Sequence, residues 1–430
     1  MKIEIPNQAY KYVTENSKEC DKETAFLLTV QNESYLENAQ ENQAHSIIKV
    51  AEIASLFRVD EIEIVGITGT NGKTTTASAI YSFLLDLGYK VAMQGTRGFF
   101  MNDMLAEGKT LTTPSVLNTY KHIYQAVEAG CKYFIMEVSS HAIVQKRIEG
   151  LSFALKILTN ITQDHLDYHK RLEDYIYVKN SFFQDEGKKL INRDEPRADF
   201  NFKNTYTYSI ENPSTYRLMA YSLNSGSSGL IQHFAEIVPF TASLHGFFNL
   251  YNLMGAISAV HLLTGKKLEE ITDVVDNFAG VSGRMEQVST LPNVIVDFAH
   301  TPDGMQQVLN ALKEKELIVV FGAGGDRDRV KRPLMGRVAS SLAKKVFITS
   351  DNPRHENPEA IVQDILDGIE DRSDVIVELN RKKAIEMALE IQGDDEVVVI
   401  LGKGDEAYQL IYDEKLPFDD REVVRELLHL

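Results

Sequence analysis

The sequence predicts an α/β protein of about three domains built on mainly parallel sheets. Three observations carry that expectation. The chain has 430 residues, too many for one core when a domain takes roughly 100–200. From Glu61 onward, short apolar runs give way to Gly, Asp or Ser clusters and then to helical periodicity, the pattern of βα units around a parallel sheet. The composition, 43% hydrophobic and 25% charged, is that of a folded globular chain and excludes wholesale disorder.

The elements follow in chain order. The first 60 residues carry no chemical motif. Runs 62–67, 133–136 and 155–159 are expected strands of a first sheet. No repeat is visible, and Asn224-Ser-Gly-Ser-Ser-Gly229 reads as a loop or hairpin tip. After Gly283, runs 294–297, 317–321, 345–349, 374–378 and 396–401 are expected strands of a second sheet. Most are followed directly by polar or Gly-rich clusters, at 297–302, 322–328, 350–354 and 402–406. Ligands of open parallel sheets sit outside the carboxyl ends of the strands. Plain turns would explain the Gly and Pro in these clusters but not the repeated Asp and Arg.

Charge and cysteine use narrow the function classes. Against 62 Asp and Glu stand 45 Lys and Arg, so the net charge is −17. Such a field opposes nucleic acid in general and still leaves room for a local phosphate pocket. The opening MKIEIPNQAYKYVTENSKEC mixes charges and has no signal-peptide core, and no run of about 18 apolar residues follows. Secretion and membrane spanning are disfavoured, and a cytoplasmic location is expected. Cys20 and Cys131 form neither a disulfide framework nor a CxxC pair, and are expected to be plain thiols.

The chemistry begins at Ile64-Val-Gly-Ile-Thr-Gly-Thr-Asn-Gly-Lys-Thr-Thr75, a strand, a Gly turn and a helix start. Strict Walker A spacing needs Gly where Ile67 stands, so the simple pattern fails by one place. The physics still fits: Gly69 and Gly72 let backbone N–H groups curl around an anion, Lys73 supplies a cation, and Thr74 offers a hydroxyl to Mg²⁺. A chance surface turn is the alternative, which the flanking strand and helix argue against. Mg²⁺ needs hard oxygens, and the run 133–137 ends on Glu137, although a lone strand-end carboxylate is ordinarily solvated. Asp164, His165, Asp167 and His169 follow a further apolar run. Two of them could be zinc ligands, but no third His or Cys stands at a familiar spacing.

Together these words resemble the Mur ligases, ATP-dependent amino-acid-adding enzymes of peptidoglycan precursor synthesis. Gly69-Thr-Asn-Gly-Lys-Thr-Thr75 matches that family's own nucleotide loop, which accounts for the failed Walker spacing. In order there follow Thr112-Thr-Pro114, Glu137-Val-Ser-Ser-His-Ala142, Thr159-Asn160, Asp164-His165-Leu-Asp-Tyr-His169, Asn249 and Asn252, and Gly283-Arg-Met-Glu286. Asp297-Phe-Ala-His-Thr-Pro-Asp303, Gly324-Gly-Asp-Arg-Asp328 and Asp351-Asn-Pro-Arg354 complete the series. The match runs from about Ile64 to the C-terminus.

The resemblance implies a small N-terminal α/β domain over 1–60 for the UDP end of the substrate. It also implies a central P-loop ATPase domain over 61–282 and a C-terminal Rossmann-like domain over 283–430 for the incoming amino acid. It assigns Gly69, Thr70, Asn71, Gly72, Lys73, Thr74 and Thr75 to ATP, with Arg284 beside Lys73 on the γ-phosphate. Asn249, Asn252, Asp297 and His300 resemble the positions around adenine and ribose. Thr74, Glu137, His165 and Lys179 are implied Mg²⁺ ligands, Lys179 as a carbamylated lysine, whereas residue chemistry alone reads it as an exposed helix lysine. Lys73, Glu137, His165, Lys179 and Arg284 form the implied catalytic set.

For UDP-N-acetylmuramoyl-L-Ala-D-Glu the matching positions are Thr112, Thr113, Ser139, Gln145 and Arg147, Gln145 reading equally as a helix-surface residue. For the amino acid they are Arg327, Asp351, Asn352, Arg354, Gly402 and Glu406. Asp351-Asn-Pro-Arg354 is the form of diaminopimelate-adding members, where the arginine forks onto a distal carboxylate that lysine lacks. The implied activity is addition of meso-diaminopimelate to the D-Glu side-chain carboxylate through an acyl phosphate, by a monomer that takes no nucleic acid or membrane partner. Three departures stand out: Asp405 where the family commonly has His, Phe298 where Tyr is common, and an N-terminal stretch too short for UDP contacts to be assigned. The alternatives are a lysine-adding variant, a folylpolyglutamate synthetase-like ligase, and a silent nucleotide-binding protein. The last has no chemical need of Lys73, Glu137, His165 and Lys179 together.

Overall fold

The computed structural model describes every residue except Met1, Pro6, Asn7, Ser55, Thr110 and Ser225. Its largest sheet has eleven strands. At the centre lies Glu63–Thr68, flanked in parallel by Tyr133–Glu137 and Phe153–Leu158. Ile64, Val65 and Ile67 are all buried, as a central parallel strand covered on both faces requires. Parallel pairing stacks the carboxyl ends of these strands on one edge, so Thr68, Glu137 and Leu158 deliver their following loops to the same place.

One helix packs on the strand that carries the nucleotide loop, and a second lies beside it over the strands from Phe153–Leu158 outward. Helix Lys73–Asp86 packs against helix Phe247–Thr264, and both belong to one apolar core. Phe247–Thr264 has the length and apolarity of a membrane span, yet it is mostly buried against the sheet, the other place where an all-round apolar helix belongs. Antiparallel strands flank the parallel centre. Gly98–Met101 and Met104–Glu107 extend one side, while Tyr216–Ser222, Ser227–His233 and Glu236–Ala242 extend the other. The expected hairpin tip at 224–229 falls between two of these, with Ser227 to Gly229 already paired and Ser225 outside the described residues.

The second sheet has six strands in the order Glu286–Thr290, Asn293–Asp297, Glu396–Leu401, Glu316–Phe321, Lys345–Ile348 and Val375–Val377. All neighbours run parallel except the first pair. Every expected strand of both sheets is present with its ends within two residues.

The N-terminal stretch forms a four-stranded sheet of Lys2–Glu4, Tyr12–Thr14, Thr24–Leu28 and Ser46–Lys49. So short a segment buries too little surface to be stable alone. Its Val13, Leu27, Ile48 and Phe57 share one core with Val116, Tyr120, Ile123 and Phe134 of the central sheet and its helix Val116–Glu128.

Candidate active site

The nucleotide loop is shaped by two close approaches. A Cβ on Gly69 would lie 1.8 Å from Thr159 Oγ1. Gly72 has φ +82°, and a Cβ there would lie 2.3 Å from Asn252 Oδ1. Thr159 and Asn160 clamp the loop from the neighbouring strand: Thr159 Oγ1 donates to the Asn71 carbonyl at 2.6 Å, and the Asn71 N–H donates to Asn160 Oδ1 at 2.9 Å. Lys73 Nζ folds back onto the Gly69 and Thr70 carbonyls at 2.8 and 2.9 Å, and burial lowers its pKa. Asn252 donates to Asn249 Oδ1 at 2.8 Å, so the two expected adenine-side residues are buried together at the foot of the loop.

Oxygens suited to a hard cation converge beside it. Thr74 Oγ1 donates to Glu137 Oε2 at 2.9 Å, and Glu137 also accepts the Thr96 N–H at 2.9 Å and the Thr96 hydroxyl at 3.2 Å. Glu137 is only 2% exposed, not the solvated carboxylate its position suggested. Gly95 leaves the room, since a Cβ there would lie 2.2 Å from Glu137 Oε1. A hydroxyl and a carboxylate in this arrangement fit Mg²⁺.

Lys179, on helix Leu172–Ser181, corrects the surface reading that its residue type suggests: it is 1% exposed. Its Nζ donates to the Gly69 carbonyl at 2.8 Å and lies 4.9 Å from the Tyr175 ring centroid. Burial, reinforced by the charge of Lys73, pushes its pKa well below the ordinary lysine value and favours a neutral amine. Lys179 sits beneath the loop and does not line the cavity.

His165 sits in the left-handed region at φ +54°, with Nε2 3.3 Å from Asp164 Oδ2. Burial holds His165 neutral despite that carboxylate. Burial opposes ionisation of Asp164, but His165, Lys331 and His300 outweigh it and keep its carboxyl below the usual range. His169 instead meets Ser140 Oγ at 2.9 Å, so the two histidines of the zinc alternative are engaged separately.

The five dipeptide positions divide. Thr112 lines the cavity, while Thr113, Ser139, Gln145 and Arg147 lie outside its lining. Thr113 Oγ1 donates to the Glu137 carbonyl at 2.9 Å and accepts the Ser139 N–H at 3.0 Å. Arg147 Nη1 donates to the Thr113 carbonyl at 2.7 Å, and its buried Nε has no hydrogen-bond partner among the described residues. Gln145 is more than a helix-surface residue: it accepts at 2.5 Å from Gln31, in the turn that follows strand Thr24–Leu28 of the N-terminal stretch.

The second sheet supplies the other wall. Asp297 is buried and takes the Met285 and Ala299 N–H groups at 2.7 and 2.6 Å, which fixes the Arg284 turn. The Arg284 guanidinium lies 4.1 Å from the Phe298 ring centroid, a stacking that the departure from Tyr preserves. Arg354, at φ +51°, donates to the Gly325 carbonyl at 2.7 Å and meets no carboxylate among the described residues; burial and the charge of Arg327 lower its pKa. Asn352 Nδ2 donates to Glu406 Oε2 at 2.9 Å, and Gly402 passes close to Asp351, where a Cβ would lie 2.7 Å from Oδ2.

Sequence reasoning missed three supports. Lys403 is fully buried and donates to Asn352 Oδ1, Glu406 Oε2 and the Tyr408 carbonyl at 3.2, 3.0 and 2.6 Å. Arg381 forks onto buried Asp420 at 2.7 and 2.8 Å and donates to the Leu401 carbonyl. Lys331, also buried, places Nζ 3.8 Å from Asp164 across the two sheets. Only Lys403 had a signal, its place inside the Gly402-Lys-Gly cluster. Asp303, quoted only as part of a motif, accepts from Asn71 Nδ2 at 2.9 Å and makes a second bridge.

One cavity of about 690 Å³ runs between the two sheets. Its lining includes Thr70 to Thr75, Glu137, His165, Asn249, Asn252, Arg284, Asp297, His300, Arg327, Asp351, Asn352, Arg354, Gly402 and Glu406.

Residues 67–260 match the Mur ligase middle domain, and residues 283–404 match the Mur ligase, glutamate ligase domain. The UDP-N-acetylmuramoyl-L-alanyl-D-glutamate--2,6-diaminopimelate ligase of Wolinella succinogenes is 52% identical over 424 residues, covering 99% of this chain and 98% of that protein. The enzyme of the same name from Gloeobacter violaceus is 43% identical, with 86% of this chain matched to 78% of that protein. A solved structure of that description aligns with TM-score 0.68 at 30% identity, covering 99% of this chain and 97% of the other. A Mycobacterium tuberculosis folylpolyglutamate synthase shares the fold, with TM-score 0.69 at 16% identity over 82% of this chain and 91% of its own.

Proposed function

Because this chain belongs to the Mur ligase family, we propose a division of labour among the residues of its cavity. The chain is an ATP-dependent acid–amino-acid ligase of peptidoglycan precursor synthesis that adds meso-diaminopimelate to UDP-N-acetylmuramoyl-L-Ala-D-Glu. The observation that carries the proposal is the single cavity that joins the nucleotide loop and Glu137 to Arg354, Asp351 and Glu406.

In the proposed first step the D-Glu side-chain carboxylate attacks the γ-phosphorus of ATP, ADP leaves, and an acyl phosphate forms. The amine of diaminopimelate then attacks the acyl carbon and phosphate leaves. Both steps crowd anions, so positioning and charge neutralisation supply the rate. Lys73 and Arg284 hold the γ-phosphate, and the loop N–H groups cradle the chain of phosphates. Bound Mg²⁺, held by Thr74 and Glu137 with His165 and carbamylated Lys179 at a second position, would neutralise charge between the phosphates. Neutral Lys179 is suited to that modification, in which its amine adds to CO₂, a proton is lost and an anionic carbamate remains.

Asn249, Asn252, Asp297 and His300 border the nucleoside end. Thr112, Thr113, Ser139, Gln145 and Arg147 serve the dipeptide, the unpartnered Arg147 Nε being available to a carboxylate. Arg327 and Arg354 meet the carboxylates of diaminopimelate, while Asp351 and Glu406 face its ammonium groups, with Asn352 and Gly402 shaping the pocket between them. We assign 1–60 to the UDP end, 61–282 to ATP and 283–430 to the amino acid, closing on one another during turnover. A cytoplasmic monomer suits a site completed by one chain and fuelled by ATP.

Heavy-oxygen labelling of the D-Glu carboxylate tests the acyl phosphate. One labelled oxygen should appear in released phosphate per turnover, and unlabelled phosphate would exclude the proposed first step.

A further inference from the structure

We propose that Lys109 and Asp405 form an interdomain latch that positions the dipeptide segment against the diaminopimelate pocket. Lys109 follows strand Met104–Glu107, at the outer edge of the eleven-stranded sheet. Its Nζ lies 2.8 Å from Asp405 Oδ2 and also donates to the Asp405 carbonyl, so one ammonium grips both the side chain and the backbone of the facing loop.

The pair stands between two parts of the cavity wall. Just beyond Lys109, Leu111 and Thr112 line the cavity; on either side of Asp405, Gly402 and Glu406 line it too. The Asp405 loop has little freedom of its own. A Cβ on Gly283, at φ +70°, would lie 2.1 Å from the Asp405 nitrogen, and one on Gly404 would lie 2.6 Å from the Gly283 carbonyl oxygen. The latch therefore grips a loop seated on the stretch where the first sheet's segment passes to the second. Pulling on Asp405 moves that passage and Glu406 together.

Local charges leave the pair intact. The nearby Arg421 also feels the charge of Asp405, but its ion pairs go to Asp419 at 2.6 Å and to Glu286 at 3.5 Å, and Glu107 pairs with Lys121 at 2.9 Å. The Asp405 side chain is 13% exposed and that of Lys109 39%, so the pair is half shielded from solvent. A partly exposed pair of this kind adds about 1 kcal/mol or less to global stability. Its effect belongs instead in substrate affinity, where two loops must be held in register. At Asp405 a histidine, the residue expected from the family pattern, would not offer Lys109 a permanent negative charge.

The inference rests on the proposed substrate sites for its kinetic readout and on geometry alone for its structural one. The full-length protein is compared with Lys109→Gln, Asp405→Asn, the double variant, and the exchanged pair Lys109→Asp with Asp405→Lys. At low salt each single variant should raise KM for both diaminopimelate and the muramoyl dipeptide by about two- to fivefold. KM for ATP should not move, the double variant should be no worse than either single, and the exchanged pair should recover most of the loss. High salt should bring the wild-type protein to the level of the variants, because the pair is screened.

Without substrates, amide exchange over 104–112 and 402–408 should quicken in the single variants. Wild-type KM and wild-type exchange in both single variants would overturn the latch, as would single effects that add in the double. Quickened exchange in a protein that releases no phosphate with these substrates would keep the latch and remove the functional reading.

Discussion

Replacing Glu137 with Gln should leave the ligand-free protein folded and remove its response to magnesium nucleotide. The carboxylate accepts three hydrogen bonds, from the Thr74 hydroxyl, the Thr96 N–H and the Thr96 hydroxyl. A glutamine oxygen retains the Thr96 N–H, and its amide donates to hydroxyls that rotate to accept. Ligand-free stability should therefore change by about 1 kcal/mol or less. The charge-assisted contact to the bound cation is worth about 1.5–3 kcal/mol, or roughly tenfold to 150-fold in Kd. At ligand equal to 100 wild-type Kd, binding adds about 2.7 kcal/mol to the wild-type protein. For a unit of about 200 residues that is a rise of roughly 5–11 °C in Tm. A variant about a hundredfold weaker would gain only about 0.4 kcal/mol, or 1–2 °C. Thermal unfolding with and without Mg·ADP, with ADP alone as control, reads both effects. An equal Mg·ADP shift in the two proteins would refute the metal role, and a ligand-free loss of several degrees would refute the hydrogen-bond argument.

The remaining predictions concern the amino acid, the lysine and the pH. Arg354→Met should lower kcat/KM for meso-diaminopimelate by about thirtyfold or more, the cost of truncating one partner of a buried charge pair, with L-lysine use nearly unchanged; parallel losses for both would remove Arg354 from the distal carboxylate. Lys179→Ala should lose activity by about a hundredfold and regain part of it with acetate or bicarbonate, whereas full activity indifferent to either would end the carbamate assignment. His122 is buried, stacked on Phe99 with centroids 4.1 Å apart, and burial lowers its pKa. The unfolded chain therefore takes the proton first, so the stability that His122 contributes is present above an unfolded pKa of about 6.5 and is lost as pH falls through it. Between pH of about 7.5 and 5.5, Tm should fall further in the wild-type protein than in His122→Gln, and equal falls would show that His122 contributes nothing.

The sites that the sequence makes legible are those written into strand ends. Parallel strands buried on both faces read as apolar runs, and Glu137, Asp297 and Asp351 announce themselves by following such runs at positions where ligands gather. Edge strands are less legible. Met104–Glu107 is mostly exposed, so neither alternation nor an apolar run marks it. Lys179 shows the other limit: the surrounding Asp-Tyr-Ile-Tyr-Val-Lys contains nothing that signals burial, because the groups enclosing its amine, Thr68 and Gly69, arrive from a distant strand. Lys331 meeting Asp164 and Lys109 meeting Asp405 are contacts between sheets, and no local pattern encodes them. The N-terminal stretch reads from its length as a shortened domain, and no local pattern signals that its apolar residues share a core with helix Val116–Glu128.

The most direct test of the whole account is amino-acid-dependent phosphate release by the purified wild-type protein with ATP, Mg²⁺ and UDP-N-acetylmuramoyl-L-Ala-D-Glu. Turnover with meso-diaminopimelate faster than with L-lysine is the predicted result. Faster release with lysine, or release that ignores both amino acids, would contradict the account at its centre.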